Sequence, residues 1–503
     1  MKQLAERLVS LTGWSRWAVS ATMGVALGMA HTPFGIWPLA FVAGAVLCLQ
    51  WRAGGGFAVG WAAGAAFFAV TLHWIVEPFL VDAARYGWMA PFALVLMAGG
   101  LALFWGAAFW IAGYFRRAGI AALALCWAVG EALRGGIFTG FPWALPAYIW
   151  LDTPIAQLAS ILGPYGLSLI TLLAITGLGA GTVKWAAPVI LLAGIGAWVW
   201  GDFRQGDGLT AATDTTVRII QPNIPQAQKW DASFARQNFE RTLALTSADA
   251  SNAARPDIVI WPEVAVPFAI EQEANARAEI AQAAGGAHVI LGSLARSPNA
   301  PRWRNALIAL NPLGQKQARY DKAHLVPFGE YMPFSDLMER IGVLALAGRG
   351  AGMEAGLPPR PIALPGLPAF TPLICYEGIF PREVRTGTAG ADWIVLITND
   401  AWFGQWAGPA QHLAQARMRA IESGLPVARA ANTGISAMIS PYGRIIEAAS
   451  LNERKYLDVS LPAAAPKTVY SQFGATVAIL VTFLTLLIGV TFFSVPRLRK
   501  RLT

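Results

Sequence analysis

Charge is what this chain lacks. Only 13% of its 503 residues are Asp, Glu, Lys or Arg, against 55% hydrophobic, and its mean hydropathy is +0.47. Ordinary soluble domains carry about 25% charged residues, so that class is excluded for the chain as a whole. The scarcity is also local. Between Trp17 and Gly201 the charged residues are Arg52, Glu77, Asp82, Arg85, Arg116, Arg117, Glu131, Arg134, Asp152 and Lys184. From Thr213 to Tyr470 charges are frequent and apolar runs short. The first stretch belongs in lipid and the second in water.

Cysteine is scarce too: Cys48, Cys126 and Cys375. That excludes a disulfide framework. Cys48 and Cys126 lie in apolar runs, where a free cysteine acts as a small hydrophobe. The histidines His31, His73, His288, His324 and His412 form no zinc-type spacing with the cysteines. No metal and no cofactor are expected. The net charge of +9 sits largely beside the apolar segments, which is the pattern of membrane orientation rather than of nucleic-acid binding.

Crossing the hydrocarbon core takes about 20 apolar residues. Eight segments qualify as candidate spans: 17–32, 35–51, 57–80, 88–115, 119–136, 155–180, 185–201 and 474–495. One side of this series collects Lys2, Arg7, Arg16, Arg52, Arg116, Arg117, Lys184, Arg497, Arg499, Lys500 and Arg501. The other side has only Arg85, Arg134 and Arg204. The positive-inside rule then puts both termini in the cytoplasm and residues 213–470 on the outer face. The expected organisation is a seven-span domain over 1–204, a polar domain over 213–470, and a last span with a basic tail over 473–503.

Within the polar domain, β-branched runs that end in turn residues predict strands: "TTVRIIQPNIPQ" (215–226), "PDIVIWPEVAVP" (256–267), "AHVILGSLAR" (287–296), "FTPLICYEGIF" (370–380) and "ADWIVLITNDAWFG" (391–404). Helical patterns at 231–249, 271–284 and 409–424 alternate with them, which predicts an α/β domain. Chemistry in such folds gathers where strands end. Three groups fall at such places: Glu263 after "IVIWP", Lys322 in "YDKAHLVPFGEYMPF", and Cys375 after "PLI". Each alone has a structural explanation as cap, solvated charge or core filler. Together they fit one chemistry. A thiol needs a base and a cation to act as a nucleophile at neutral pH. Glu263 supplies the base, Lys322 the cation, and the N–H of Tyr376 a second oxyanion donor. His324 and His412 stay open as partners brought in by the fold.

Glu, Lys and Cys in this order, each ending a strand, resemble the carbon–nitrogen hydrolase (nitrilase) superfamily. The resemblance implies an α-β-β-α sandwich over roughly 213–470, with Glu263, Lys322 and Cys375 as the catalytic trio and Glu330 as a second acid. The strings "QPNIPQAQKWD", "WPE", "YDKAHLVPFGEYMPF" and "CYEG", inside a polytopic chain, narrow it to the bacterial apolipoprotein N-acyltransferase family. That implies further functional positions at Trp230, Tyr376 and Glu377. It also implies acyl transfer from a membrane phospholipid, through a thioester on Cys375, to the α-amino group of a diacylglyceryl apolipoprotein. The bilayer is then the remaining partner and the bacterial inner membrane the location.

Several readings stay open. Trp230 lines a cleft or only packs; Glu377 orients Lys322 or faces solvent. The Gly-rich segment 341–359 is a lid, a membrane-dipping arm or a packed loop. The aromatics of "NDAWFGQWAGP" (399–409) form a cleft wall or an interfacial anchor. Two other functions compete. A membrane-tethered amidase or nitrilase would pass its acyl group to water instead. A transporter would need polar groups at mid-span, whereas Glu77, Glu131 and Asp152 sit near span ends.

Overall fold

The computed structural model describes residues 2–180, 186–229, 231–249, 255–297, 302–333 and 352–494. The chain forms two compact units. One comprises Met1–Asp207, Trp406–Glu422 and Lys467–Thr503; the other comprises Gly208–Gln405 and Ser423–Pro466.

The first unit is helical. Helices occupy each of the eight apolar segments, but their lengths differ. Among the described residues, 83–114 and 154–177 are long and apolar enough to cross a membrane. Phe57–Thr71 and His73–Leu80 pass the same test only as a pair, and they are bent by 65° at their junction. Pro38–Arg52 is apolar but shorter, at 15 residues. The predicted span 155–180 is also broken, because Gly163 (φ 65°, ψ 178°) stands before Pro164. Apolar side chains face outward as well as inward: Val95 and Leu96 are 69% and 73% exposed, as expected of a helix meeting lipid. Inside, Glu131 accepts from the Trp105 indole at 2.5 Å and pairs with Arg134. A charge so deeply buried needs such partners.

The segment Trp406–Glu422 is tied into this helical unit by its side chains. Gln411 Oε1 accepts from Trp74 and Trp143 at 3.1 and 2.6 Å, while its amide donates to the Thr32 carbonyl at 3.0 Å. The Trp406 ring lies 5.3 Å from Phe34 and 4.8 Å from His73. Of the aromatics in 399–409, Trp406 therefore packs against helical-unit residues.

The second unit is built on two mixed sheets. The first contains β1 (Ala212–Gln221), β2 (Ile258–Ile260), β3 (His288–Arg296), β4 (Trp303–Leu310), β5 (Lys316–Asp321) and β11 (Lys455–Pro462). The second contains β6 (Phe370–Ile374), β7 (Trp393–Thr398), β8 (Val427–Ala431), β9 (Ala437–Ile439) and β10 (Ile445–Ala448). Their orders are β11-β1-β2-β3-β4-β5 and β10-β9-β8-β7-β6. β1–β2–β3 run parallel, as do β6–β7–β8, with antiparallel strands outside them. Alternation explains the core. Val217, Ile219 and Ile260 of one sheet pack with Ile374, Val395 and Ile397 of the other in one buried cluster. The opposite face of the first sheet buries Val259, Val289 and Ile308 against Phe239 and Ile280, which lie on helices Ala235–Thr246 and Ala274–Ala284.

Two of the predicted strands stop short of their runs, whereas "AHVILGSLAR" forms β3 over nearly its whole length. β2 stops at Ile260 before Pro262, and β6 gives way at Cys375 to the 3-10 turn Cys375–Ile379. A proline cannot donate to the ladder, and the turn at Cys375 breaks extended geometry.

Candidate active site

Glu263, Lys322 and Cys375 follow the carboxyl ends of β2, β5 and β6, and all three are buried. Cys375 is the sharpest local feature. It has φ of +53°, a left-handed conformation that non-glycine residues rarely adopt and that costs about 1–3 kcal/mol. The strand thus turns abruptly into Cys375–Ile379, and the thiol is carried at the bend. Burial pushes its pKa up, with Glu263 adding to the rise; Lys322 and a Thr398 hydrogen bond oppose it. The resting thiol is protonated.

Glu263 Oε1 accepts from Asn305 Nδ2 at 2.7 Å and faces Lys322 Nζ at 3.5 Å. Its backbone needs Gly292 beneath it: a Cβ there would lie 2.5 Å from Val264 N and 2.6 Å from Glu263 Cα. Lys322 Nζ also donates to Glu330 at 3.0 Å. Burial pulls the Lys322 pKa down, but Glu330 and Glu263 outweigh it and hold the ammonium above the ordinary lysine range. Glu330 is itself anchored, accepting from Asn305 Nδ2 at 3.0 Å and from Val326 N–H at 2.8 Å.

Glu377 points inward rather than to solvent. Its Oε1 accepts from Tyr320 Oη at 2.5 Å and from the N–H groups of Ala323 and His324 at 2.7 and 3.2 Å. Its Oε2 accepts from Ile374 N–H at 2.8 Å. One carboxylate therefore clamps the chain just after Lys322 to the chain just before Cys375. Tyr376 is also buried, its ring edge-on to Phe380 at 5.0 Å and to His324 at 5.5 Å. His324 Nδ1 lies 2.8 Å from Glu383 Oε1. His412 belongs to the helical unit, where its ring lies 5.9 Å from Trp143.

Trp230 and most of the 341–359 segment lie outside the described residues. Two residues escaped the sequence reading. Asn305 stands near the start of β4 in "RNALIAL", between Arg304 and Ala306, where a buried polar residue just ahead of the apolar run was the one available signal. Lys229, beside Trp230, is buried and donates to the Glu263 carbonyl at 2.9 Å. Nothing in its local pattern marks it as inward.

With this geometry in hand, comparisons with known proteins add the following. Residues 216–468 match the family described as Carbon-nitrogen hydrolase, and residues 23–177 match the Apolipoprotein N-acyltransferase N-terminal domain. The chain is 36% identical to an apolipoprotein N-acyltransferase of Rhodopseudomonas palustris over 521 residues, covering 97% of each chain. It is 36% identical to one from Bradyrhizobium diazoefficiens over 524 residues, again 97% of each. A Rhizobium meliloti counterpart is 37% identical over 502 residues, 93% of each.

Proposed function

The chain belongs to the apolipoprotein N-acyltransferase family, and from that premise we propose that Cys375 is the nucleophile of a two-step acyl transfer at the membrane. The observation that carries this reading is the buried meeting of Lys322 with Glu263 and Glu330, clamped by Glu377 to the strained turn that holds Cys375.

Because burial keeps the thiol protonated, a base must act as the bond forms. Glu263 takes the thiol proton while sulfur attacks the ester carbonyl of a phospholipid. Lys322 and the Tyr376 N–H stabilise the oxyanion that develops. The tetrahedral intermediate collapses to a thioester, and the departing lysophospholipid alkoxide takes the proton back from Glu263. The free α-amino group of a diacylglyceryl-cysteine then attacks the thioester. Glu263 accepts the amine's proton, an amide forms, and Cys375 leaves as thiolate and is reprotonated by Glu263. Glu330 and Asn305 hold the Lys322–Glu263 pair through both steps.

Eight spans, cytoplasmic termini and an extra-cytoplasmic catalytic unit complete the proposal. The apolar helices and the alternation of Lys and Arg along the chain support this arrangement.

Purified protein in detergent, given a phospholipid with a labelled acyl chain, tests the chemistry by intact mass. One acyl chain is expected on Cys375, absent in Cys375→Ala and discharged on adding a diacylglyceryl peptide with a free amino terminus. Loss of the adduct to water at one rate with or without the peptide would mean a hydrolase. Folded protein that never forms an adduct would remove Cys375 as the nucleophile.

A further inference from the structure

Lys229 is a buried charge beside the trio that this mechanism leaves unused. It ends the short helix Gln226–Lys229 and is only 7% exposed. A lysine stem is long enough to carry its head to water in most settings. Here the ammonium is turned inward instead, onto the carbonyl of Glu263 at 2.9 Å. That carbonyl belongs to the peptide joining Glu263 to Val264, and Val264 has φ of +43°, costly for a β-branched residue. The hydrogen bond therefore pins the strained link behind the base.

The two lysines of the site differ in what faces them. Lys322 meets two carboxylates, Glu263 and Glu330, so its charge is largely balanced. The bond from Lys229 goes to a carbonyl dipole, and the ionisable groups acting on it are Glu263 and Cys375. Its positive charge is less fully compensated.

We infer that Lys229 is a positioning residue of the active site, fixing the main chain of Glu263 while its charge biases the Cys375 thiol toward thiolate. This rests on the proposed reading of Cys375 only in so far as it is the reactive thiol of the site. Burial draws the Lys229 ammonium down to about 8, with Glu263 and Cys375 opposing. It is therefore mostly charged at neutral pH and loses its effect above that point.

Alkylation of Cys375 by iodoacetamide, followed by intact mass across pH with Cys375→Ala as blank, needs no acyl donor. Lys229→Met should be alkylated roughly tenfold more slowly than wild type near neutral pH, its profile displaced by about one unit. The two profiles should converge as pH rises through about 8. Lys229→Arg, which keeps the charge, should stay within roughly threefold of wild type near neutral pH, since a smaller change is under half a unit. A wild-type profile in Lys229→Met would overturn the inference. So would Lys229→Arg as slow as Lys229→Met with an unchanged unfolding transition, or a wild-type Cys375 that does not alkylate. Normal alkylation without any acyl adduct would instead sink the acyl-transfer reading and leave this one standing.

Discussion

Glu377 offers the most direct test of how the site is held. Its carboxylate receives four hydrogen bonds, from Tyr320, Ala323, His324 and Ile374, and each bond to a charged acceptor is worth about 1.5–3 kcal/mol. Burial of the carboxylate opposes that gain and pushes its pKa up, while these donors pull it down. The net contribution is therefore well below the sum. Glu377→Ala is a different matter, because it strands three backbone N–H groups. Each buried donor left without a partner costs about 1–3 kcal/mol, and water entering the vacated space recovers part. A loss of about 3–5 kcal/mol follows. Glu377→Gln keeps the shape but turns an NH₂ toward the Ile374 N–H, so roughly 2 kcal/mol is lost and the turn at Cys375 shifts. A displacement of about 1 Å costs about 100-fold in rate. The assay is the rate of acyl-adduct formation on Cys375, with thermal unfolding followed on the same samples. Glu377→Gln should stay folded and acylate about 30–100-fold more slowly. If Glu377→Gln acylates at the wild-type rate, the clamp does not position the nucleophile and the reasoning fails.

Two further outcomes follow from the same geometry. Asn305→Leu removes the donor shared by Glu263 and Glu330; adduct formation should drop about 10–100-fold at near-native stability, and an unaffected rate would show that the shared donor is not needed to order the two acids. Lys229 carries a pH signature in folding. Its pKa is lowered on folding to about 8 from 10.5, so between those values the unfolded state binds more protons and stability rises with pH. Wild type should gain roughly 3 kcal/mol on Lys229→Met across that window, read as diverging unfolding temperatures; a constant difference would refute the buried charge.

Glu263 and Cys375 were legible because each follows an apolar, β-branched run, and Lys322 because it stands near the start of the Pro- and Gly-containing stretch "YDKAHLVPFGEYMPF". Strand-end placement is a local property, and local pattern reports it well. Asn305 was not legible, since its importance comes from the register of β4 beside β5, where Ala306 faces Asp321. Lys229 was hidden for a related reason: only the folded chain brings residue 229 to the carbonyl of residue 263. The helix pattern at 409–424 was visible, yet not that its side chains bond Thr32, Trp74 and Trp143 of the helical unit. Helical periodicity shows that a face is buried and not what buries it.

The sequence by itself therefore determined the division between apolar and polar stretches, the alternation of strands and helices in the polar region, and the strand-end places of the three groups proposed to perform the chemistry. These depend on composition, periodicity and turn residues, all read within a few positions. Tertiary structure decided how those groups are held. It set the left-handed turn at Cys375, the inward carboxylate of Glu377, the shared donor Asn305 and the second lysine. Each of these depends on contacts between residues far apart in the chain, and no local pattern encodes which distant backbone a buried side chain will meet.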